Sequence, residues 1–164
     1  MGPLYLTGGY ATSDATAPGS IAQYAFLDTG TPSRITSSTI ATSQTTTSAT
    51  YANLASTGPS VTLVVPQSGE VKVDFSARAN HSAAGQNLYV SFALSGANTM
   101  AASDTTAAQI RQMATSPGNL VGTLSRSIHL TGLTPGTTTF TLTYRTTAAT
   151  AIFADRHLIV TPCP

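Results

Sequence analysis

From about residue 45 onward, apolar and polar residues alternate with a period of two. Over residues 70–79, Val71, Val73, Phe75 and Ala77 share one parity, and Glu70, Lys72, Asp74, Ser76 and Arg78 share the other. Successive strand side chains point to opposite faces, so this pattern predicts a half-buried antiparallel strand. Leu88, Val90, Phe92 and Leu94 repeat it, opposite Tyr89, Ser91 and Ser95. Phe140, Leu142 and Tyr144 do so again, with Thr139, Thr141, Thr143 and Arg145 outward. Residues 61–65, 128–130 and 152–160 add further strands. Turn residues separate these runs at Gly58-Pro59, Pro66 to Gly69, Ala84-Gly85, Ser95-Gly96, Pro117-Gly118 and Pro135-Gly136. About eight short strands at this spacing predict an all-β fold, an antiparallel β-sandwich of jelly-roll type.

Two stretches break the alternation. Arg126 shares parity with Leu124, Ile128 and Leu130 and so points toward the apolar side. Between Phe153 and Val160 neither parity is wholly apolar. Two readings stand: a β-bulge or strand end, or a face buried between subunits where Arg and Asp pair. The second makes Arg126, Asp155, Arg156 and His157 candidate subunit-interface residues. Beyond residue 45, Asp104 to Met113 is the one segment that could be helical, capped by Asp104, but its apolar spacing is too short to decide.

The chain changes character near residue 45. Before it, Gly8-Gly9, Pro18-Gly19, Gly30 and Pro32 interrupt every pattern, and residues 21–27 could form one strand or a brief helix. Residues 36–50 are almost entirely Thr, Ser and Ala, a linker or an extended edge. The expected organisation is therefore an extended N-terminal arm, residues 1–44, followed by the sandwich, residues 45–164.

Composition narrows the function. Only 8% of residues are charged and the net charge is +1, with Lys72 the single lysine. That argues against nucleic acid, whose phosphates demand clustered cations. No apolar stretch approaches the roughly 20 residues of a membrane-spanning helix, so no membrane insertion is expected. The start, Met1 to Leu6, lacks a basic region followed by an apolar run, and no secretion signal is expected. Cys163 alone cannot form an intrachain disulfide or a cysteine-rich zinc site.

The search for chemistry returns little. His81, His129 and His157 have no partner at metal-ligand spacing and read as surface or interface histidines. There is no nucleophile elbow, no Gly-rich phosphate loop and no carboxylate pair that the sequence brings together. No catalytic residue, cofactor or metal is expected, and the chain reads as a non-enzyme. Asn80-His81-Ser82 fits a glycosylation sequon, read as coincidence. With no Trp and 7% aromatics, a sugar-binding face has few platforms. Tyr89, outward on its strand, is the candidate surface ligand contact.

Residues 130–140, Leu130 to Phe140, suggest a fibronectin type III corner, but the usual Tyr is a Phe one place late and the buried Trp is missing. A second resemblance spans about residues 45–161. It rests on Thr50-Tyr51-Ala52-Asn53-Leu54, Gly58-Pro59-Ser60-Val61-Thr62, Ser68-Gly69-Glu70-Val71 and Val90 to Gly96. Ala101-Ala102-Ser103-Asp104, Leu130 to Gly136, Thr143-Tyr144-Arg145 and Phe153-Ala154-Asp155-Arg156 follow in order. Together they resemble a domain of minor tail, tail-fibre and related virion proteins of phages of actinobacteria. The resemblance implies a β-sandwich knob, often trimeric, on the particle exterior, with no catalytic residues. A chain of 164 residues leaves little length for a tail-fibre shaft. The expectation is therefore a homotrimeric head-decoration or head-fibre protein, its residues 1–44 held against the major capsid protein. A minor tail or tail-fibre protein held against tail proteins, touching a host surface glycan, is the alternative. A carbohydrate-binding module is the third.

Overall fold

The computed structural model describes residues 34–83, 85–111 and 121–163, all within the unit Ser33–Pro164. Among them nine strands form: β1 (Thr36–Ile40), β2 (Gln44–Thr46), β3 (Ser60–Val65), β4 (Glu70–His81), β5 (Asn87–Gly96), β6 (Ala108–Arg111), β7 (Gly122–Leu130), β8 (Gly136–Thr146) and β9 (Ala151–Cys163). The alternating runs become the long strands. Val71, Val73, Phe75, Ala77 and Ala79 of β4 are buried, as are Phe140, Leu142 and Tyr144 of β8.

One sheet has the order β1-β9-β4-β7, with β2 also on β9, and the other β3-β8-β5-β6; every pairing is antiparallel. The pairs nest: Thr36 lies opposite Val160, Ser60 opposite Thr141, Val71 opposite Leu130, Asn87 opposite Arg111, and Leu94 opposite Met100. The chain is thus one long hairpin folded over itself, with successive pairs assigned alternately to the two sheets. That is a jelly roll, and the all-β sandwich expected from the alternation is the observed fold.

The inner faces meet in a core built around four phenylalanines and Tyr144. Phe75 and Phe92 lie edge to face at 5.8 Å, Phe92 is 6.4 Å from Phe140, and Tyr144 is 4.9 Å from Phe153. Each such side chain contributes about 1.5–3 kcal/mol through burial. Truncating Phe92, which is wholly buried, would cost about 3–5 kcal/mol. Two tight turns need glycine. Gly69 has φ +70° and a Cβ there would lie 2.6 Å from Leu133 O; Gly96 has φ +98° and would meet Thr137 O at 2.6 Å.

Several local expectations change. Residues 36–40 and 44–46, placed in the arm or linker, pair with β9 as edge strands β1 and β2. Of the extended edge and the linker, residues 36–46 take the edge. Residues 1–33, including the 21–27 patch, lie outside the described residues. Asp104 to Thr106 makes one 3₁₀ turn and Ala108–Arg111 is strand β6, paired with β5. A helix there would leave the β5 edge unpaired; residues 112 and 113 are not described. The turn at Pro117-Gly118 is not described either. His81, expected at a surface, is wholly buried. It continues the inward row of β4, and its Nδ1 accepts from Ala83 N at 3.0 Å. That fixes the ring proton on Nε2, which donates to Ala148 O at 2.6 Å.

Candidate functional site

The irregular stretch of β9 is a β-bulge. The register of β4 against β9 shifts between Ser76 and Arg78, and Asp155 has φ +46°. The extra residue flips the inward parity: Ala151 and Phe153 face the core before it, Arg156, Leu158 and Val160 after it. Arg156, expected at a subunit interface, is instead wholly buried inside its own chain. Its guanidinium donates to Gly58 O at 3.3 Å and Thr42 O at 3.2 Å, and stands 5.6 Å from the Tyr144 ring. Tyr144 Oη also donates to Gly58 O, at 3.0 Å. Burial pushes the Tyr144 phenol well above its ordinary pKa, against the opposing pull of Arg156. Arg156 has no carboxylate partner among the described residues, and its Nε has no hydrogen-bond partner.

The other three predicted interface residues sit apart from it. Asp155 points outward and pairs with Arg78 at 2.9 Å. His157 Nδ1 is hydrogen-bonded to Thr39 Oγ1 at 3.1 Å. Arg126 reaches across the open edge of the sandwich and donates to Ala107 O at 2.6 Å, tying β7 to the segment before β6. Arg126 and His157 line one shallow depression of about 440 Å³ with Asp74, Ser76, Ser125 and Ile159. The fold therefore brings none of the four side chains together: Arg126 crosses to the other sheet, His157 lies on the outer face, Asp155 pairs with Arg78 and Arg156 is buried.

The outer face of the second sheet carries a cluster that sequence reasoning only partly found. Arg145 on β8 lies opposite Tyr89 on β5, and its guanidinium stacks 3.7 Å from the Tyr89 ring centroid. Tyr89, expected as an exposed ligand contact, is 8% exposed beneath that guanidinium. It serves as a base for Arg145. Arg145 Nε donates to Asp104 Oδ1 at 3.0 Å and Nη2 to Asp104 Oδ2 at 2.5 Å. Tyr51 Oη donates to Asp104 Oδ1 at 2.8 Å. The bonds from Arg145, then Tyr51, hold the Asp104 carboxyl below its ordinary pKa. Burial first and the Asp104 bond second push Tyr51 up. Burial works against the charge on Arg145, yet its bonds to Asp104 and Tyr51 raise its pKa further. The pair is therefore ionised across the physiological range.

These residues frame a depression of about 560 Å³ lined also by Ala49, Thr50, Ala93, Ala101, Ala102 and Thr143. Three segments quoted for the resemblance, at residues 50–54, 101–104 and 143–145, meet here. Their separation in sequence explains why parity alone found only Tyr89. Elsewhere among the described residues the acidic side chains are spoken for: Lys72 pairs with Asp74 at 3.1 Å and His129 lies 3.2 Å from Glu70. No group of three or more His, Cys, Asp or Glu side chains converges on a metal-sized space among the described residues, and no described helix is long and apolar enough to cross a membrane.

No family model and no curated protein matches the sequence. Solved structures do share the fold. Eiger TNF from S. frugiperda aligns with a TM-score of 0.52 at 11% identity, over 79% of this chain and 93% of that one. The infectious bursal disease virus Gt strain structure aligns with a TM-score of 0.51 at 15% identity, over 93% of this chain and 36% of that one. A mutant VP2 protein of the same virus, from T=1 particles, gives 0.50 at 14% identity, again over 93% and 36%. This chain thus spans about a third of the length of those viral chains. At such identity the likeness is one of fold.

Proposed function

We propose that this chain is a non-enzymatic structural protein of a phage particle, a homotrimer on the exterior of the head. The observation that carries this reading is the nested jelly roll whose outward positions on β1, β3, β7 and β8 are mostly Ser and Thr. The acidic side chains of the described residues each have a basic partner within the chain. Such a surface is suited to lying against other protein at low desolvation cost, since few charges need to leave water. VP2, which forms T=1 particles, shares this fold, and the ordered motif set resembles phage virion proteins. Residues 1–44 attach to the major capsid protein, their last part held as β1 and the start of β2 on β9. The shallow depression lined by Asp74, Ser76, Arg126 and His157 is the subunit contact. Binding that exists only in the assembled shell stabilises that shell by mass action.

A minor tail or tail-fibre protein, attached to tail proteins, is the second reading. The convergence of three tail-type segments at Tyr51, Asp104 and Arg145 on an open outer face favours it. Copy number per particle separates the two, measured by quantitative mass spectrometry against the major capsid protein. Hundreds of copies are expected for a head protein. A handful would place the chain on the tail, and none in purified particles would overturn the particle role altogether.

A further inference from the structure

The depression between Tyr51, Asp104 and Arg145 is an open dip of about 560 Å³ that sets alanine methyls beside a few convergent polar groups. Its charges cancel: one carboxylate and one guanidinium, bonded to each other. An ionic ligand therefore gains little from it. The Asp104 side chain is still 56% exposed, and Oδ2 receives one bond from Arg145 where a carboxylate oxygen can accept two. Thr143 Oγ1 is buried without a hydrogen-bond partner, one of three such side-chain atoms among the described residues. Ala93, Ala101, Ala102 and the half-buried Tyr51 ring supply a low apolar floor.

We propose that this depression binds a neutral saccharide. A pyranose presents adjacent hydroxyls that both donate and accept, together with one C–H face. Its hydroxyls would donate to the free lone pair of Asp104 and share bonds with Arg145 and Thr143. Its C–H face would lie on the alanines and the Tyr51 ring. The guanidinium is held flat by Tyr89 beneath it and by two bonds to Asp104, so the polar edge is fixed before the ligand arrives. The role of Tyr89 is positional, one layer below the contact. The proposal stands on this geometry and not on a place in a particle, so its failure would leave the structural role untouched.

The test uses the full chain, isotope-labelled, titrated with neutral gluco-, galacto-, manno- and N-acetylglucosamine oligosaccharides to about ten millimolar. Weak single-site sugar binding falls within that range. The expected result is chemical-shift change confined to residues 49–54, 93, 101–106 and 143–145 for at least one sugar. Ala101 is exposed and outside the core, so Ala101→Trp fills the depression without disturbing folding. It should weaken binding at least about tenfold, roughly 1.4 kcal/mol, at unchanged melting temperature. No shift with any sugar overturns the proposal. So does binding that Ala101→Trp leaves intact, or a preference for acidic sugars that salt abolishes.

Discussion

Arg145 and Arg156 sit on neighbouring strands in sequence and in opposite worlds. Arg145 faces outward from β8, stacked on Tyr89 and paired with Asp104. Arg156 faces inward from β9, wholly buried, with two backbone carbonyls and an aromatic ring for company. The first meets its charge with a charge. The second is solvated by dipoles alone, and a buried cation without a carboxylate is costly to hold. What Arg156 provides is geometry: its two donors bind the β1–β2 break at Thr42 and the entry to β3 at Gly58. One arginine stabilises its site; the other fixes the placement of segments that two different sheets need.

Truncation should separate size from charge. Arg156→Ala removes a long buried stem as well as two hydrogen bonds and should cost about 2–4 kcal/mol in chemical denaturation. Arg156→Met keeps most of the volume and discards the unpaired cation. It should fall within about 1 kcal/mol of the native chain, or exceed it. The same change at the other site, Arg145→Met, should cost about 1 kcal/mol, because it strands Asp104 and loses the stacked ring. If Arg156→Met proved as damaging as Arg156→Ala, the buried charge would itself be stabilising and the contrast would collapse.

The bulge that turns Arg156 inward offers a smaller effect. Asp155 holds φ +46°, a backbone region natural to glycine and strained for other residues. Its ion pair with Arg78 is half exposed on both sides, 48% and 55%, and so adds little. Asp155→Gly should leave stability unchanged or raise it by up to about 1 kcal/mol. Asp155→Val, with a branched Cβ at positive φ, should lower it by more than that. A thermal melt of both variants decides whether the bulge is set by local backbone preference or imposed by the strands beside it.

This bulge also marks the boundary of what the sequence can say. Long strands were readable because β4, β5 and β8 each bury one full parity row, and the sandwich followed from their turns. His81 was misread as a surface histidine, although it extends the Val71-to-Ala79 row by one step and is buried with it. β1 and β2 were left open between linker and extended edge, and β6 was missed, because Thr, Ser, Ala and Gln carry no amphipathic signal and become strands only when β9 or β5 offers an edge. Arg156 changed faces through a one-residue insertion in register. The mixed parity showed that something happens there, and left open whether a bulge or a partner answers it. The Asp104 cluster joins residues far apart in the chain, which no local pattern reports.

The smallest expected effect bears on the same contrast through pH. The carboxyl of Asp104 is held below its ordinary value of 3.8, chiefly by Arg145 and then by Tyr51. A depressed folded-state pKa adds stability that is fully present above the unfolded value and is lost as pH falls through the folded one. Asp104→Asn should therefore melt slightly below the native chain at neutral pH, and the two should converge as pH drops below about 4. Exposure of Asp104 keeps the gap small. Tyr51→Phe removes one of the bonds that lower the folded-state pKa, so in that background the loss should be smaller and complete at higher pH. Arg156 has no carboxylate to protonate, and the difference between Arg156→Met and the native chain should stay level across that window. A gap at Asp104 that persisted unchanged to the most acidic pH would mean that its packing, and not its charge, holds the cluster together.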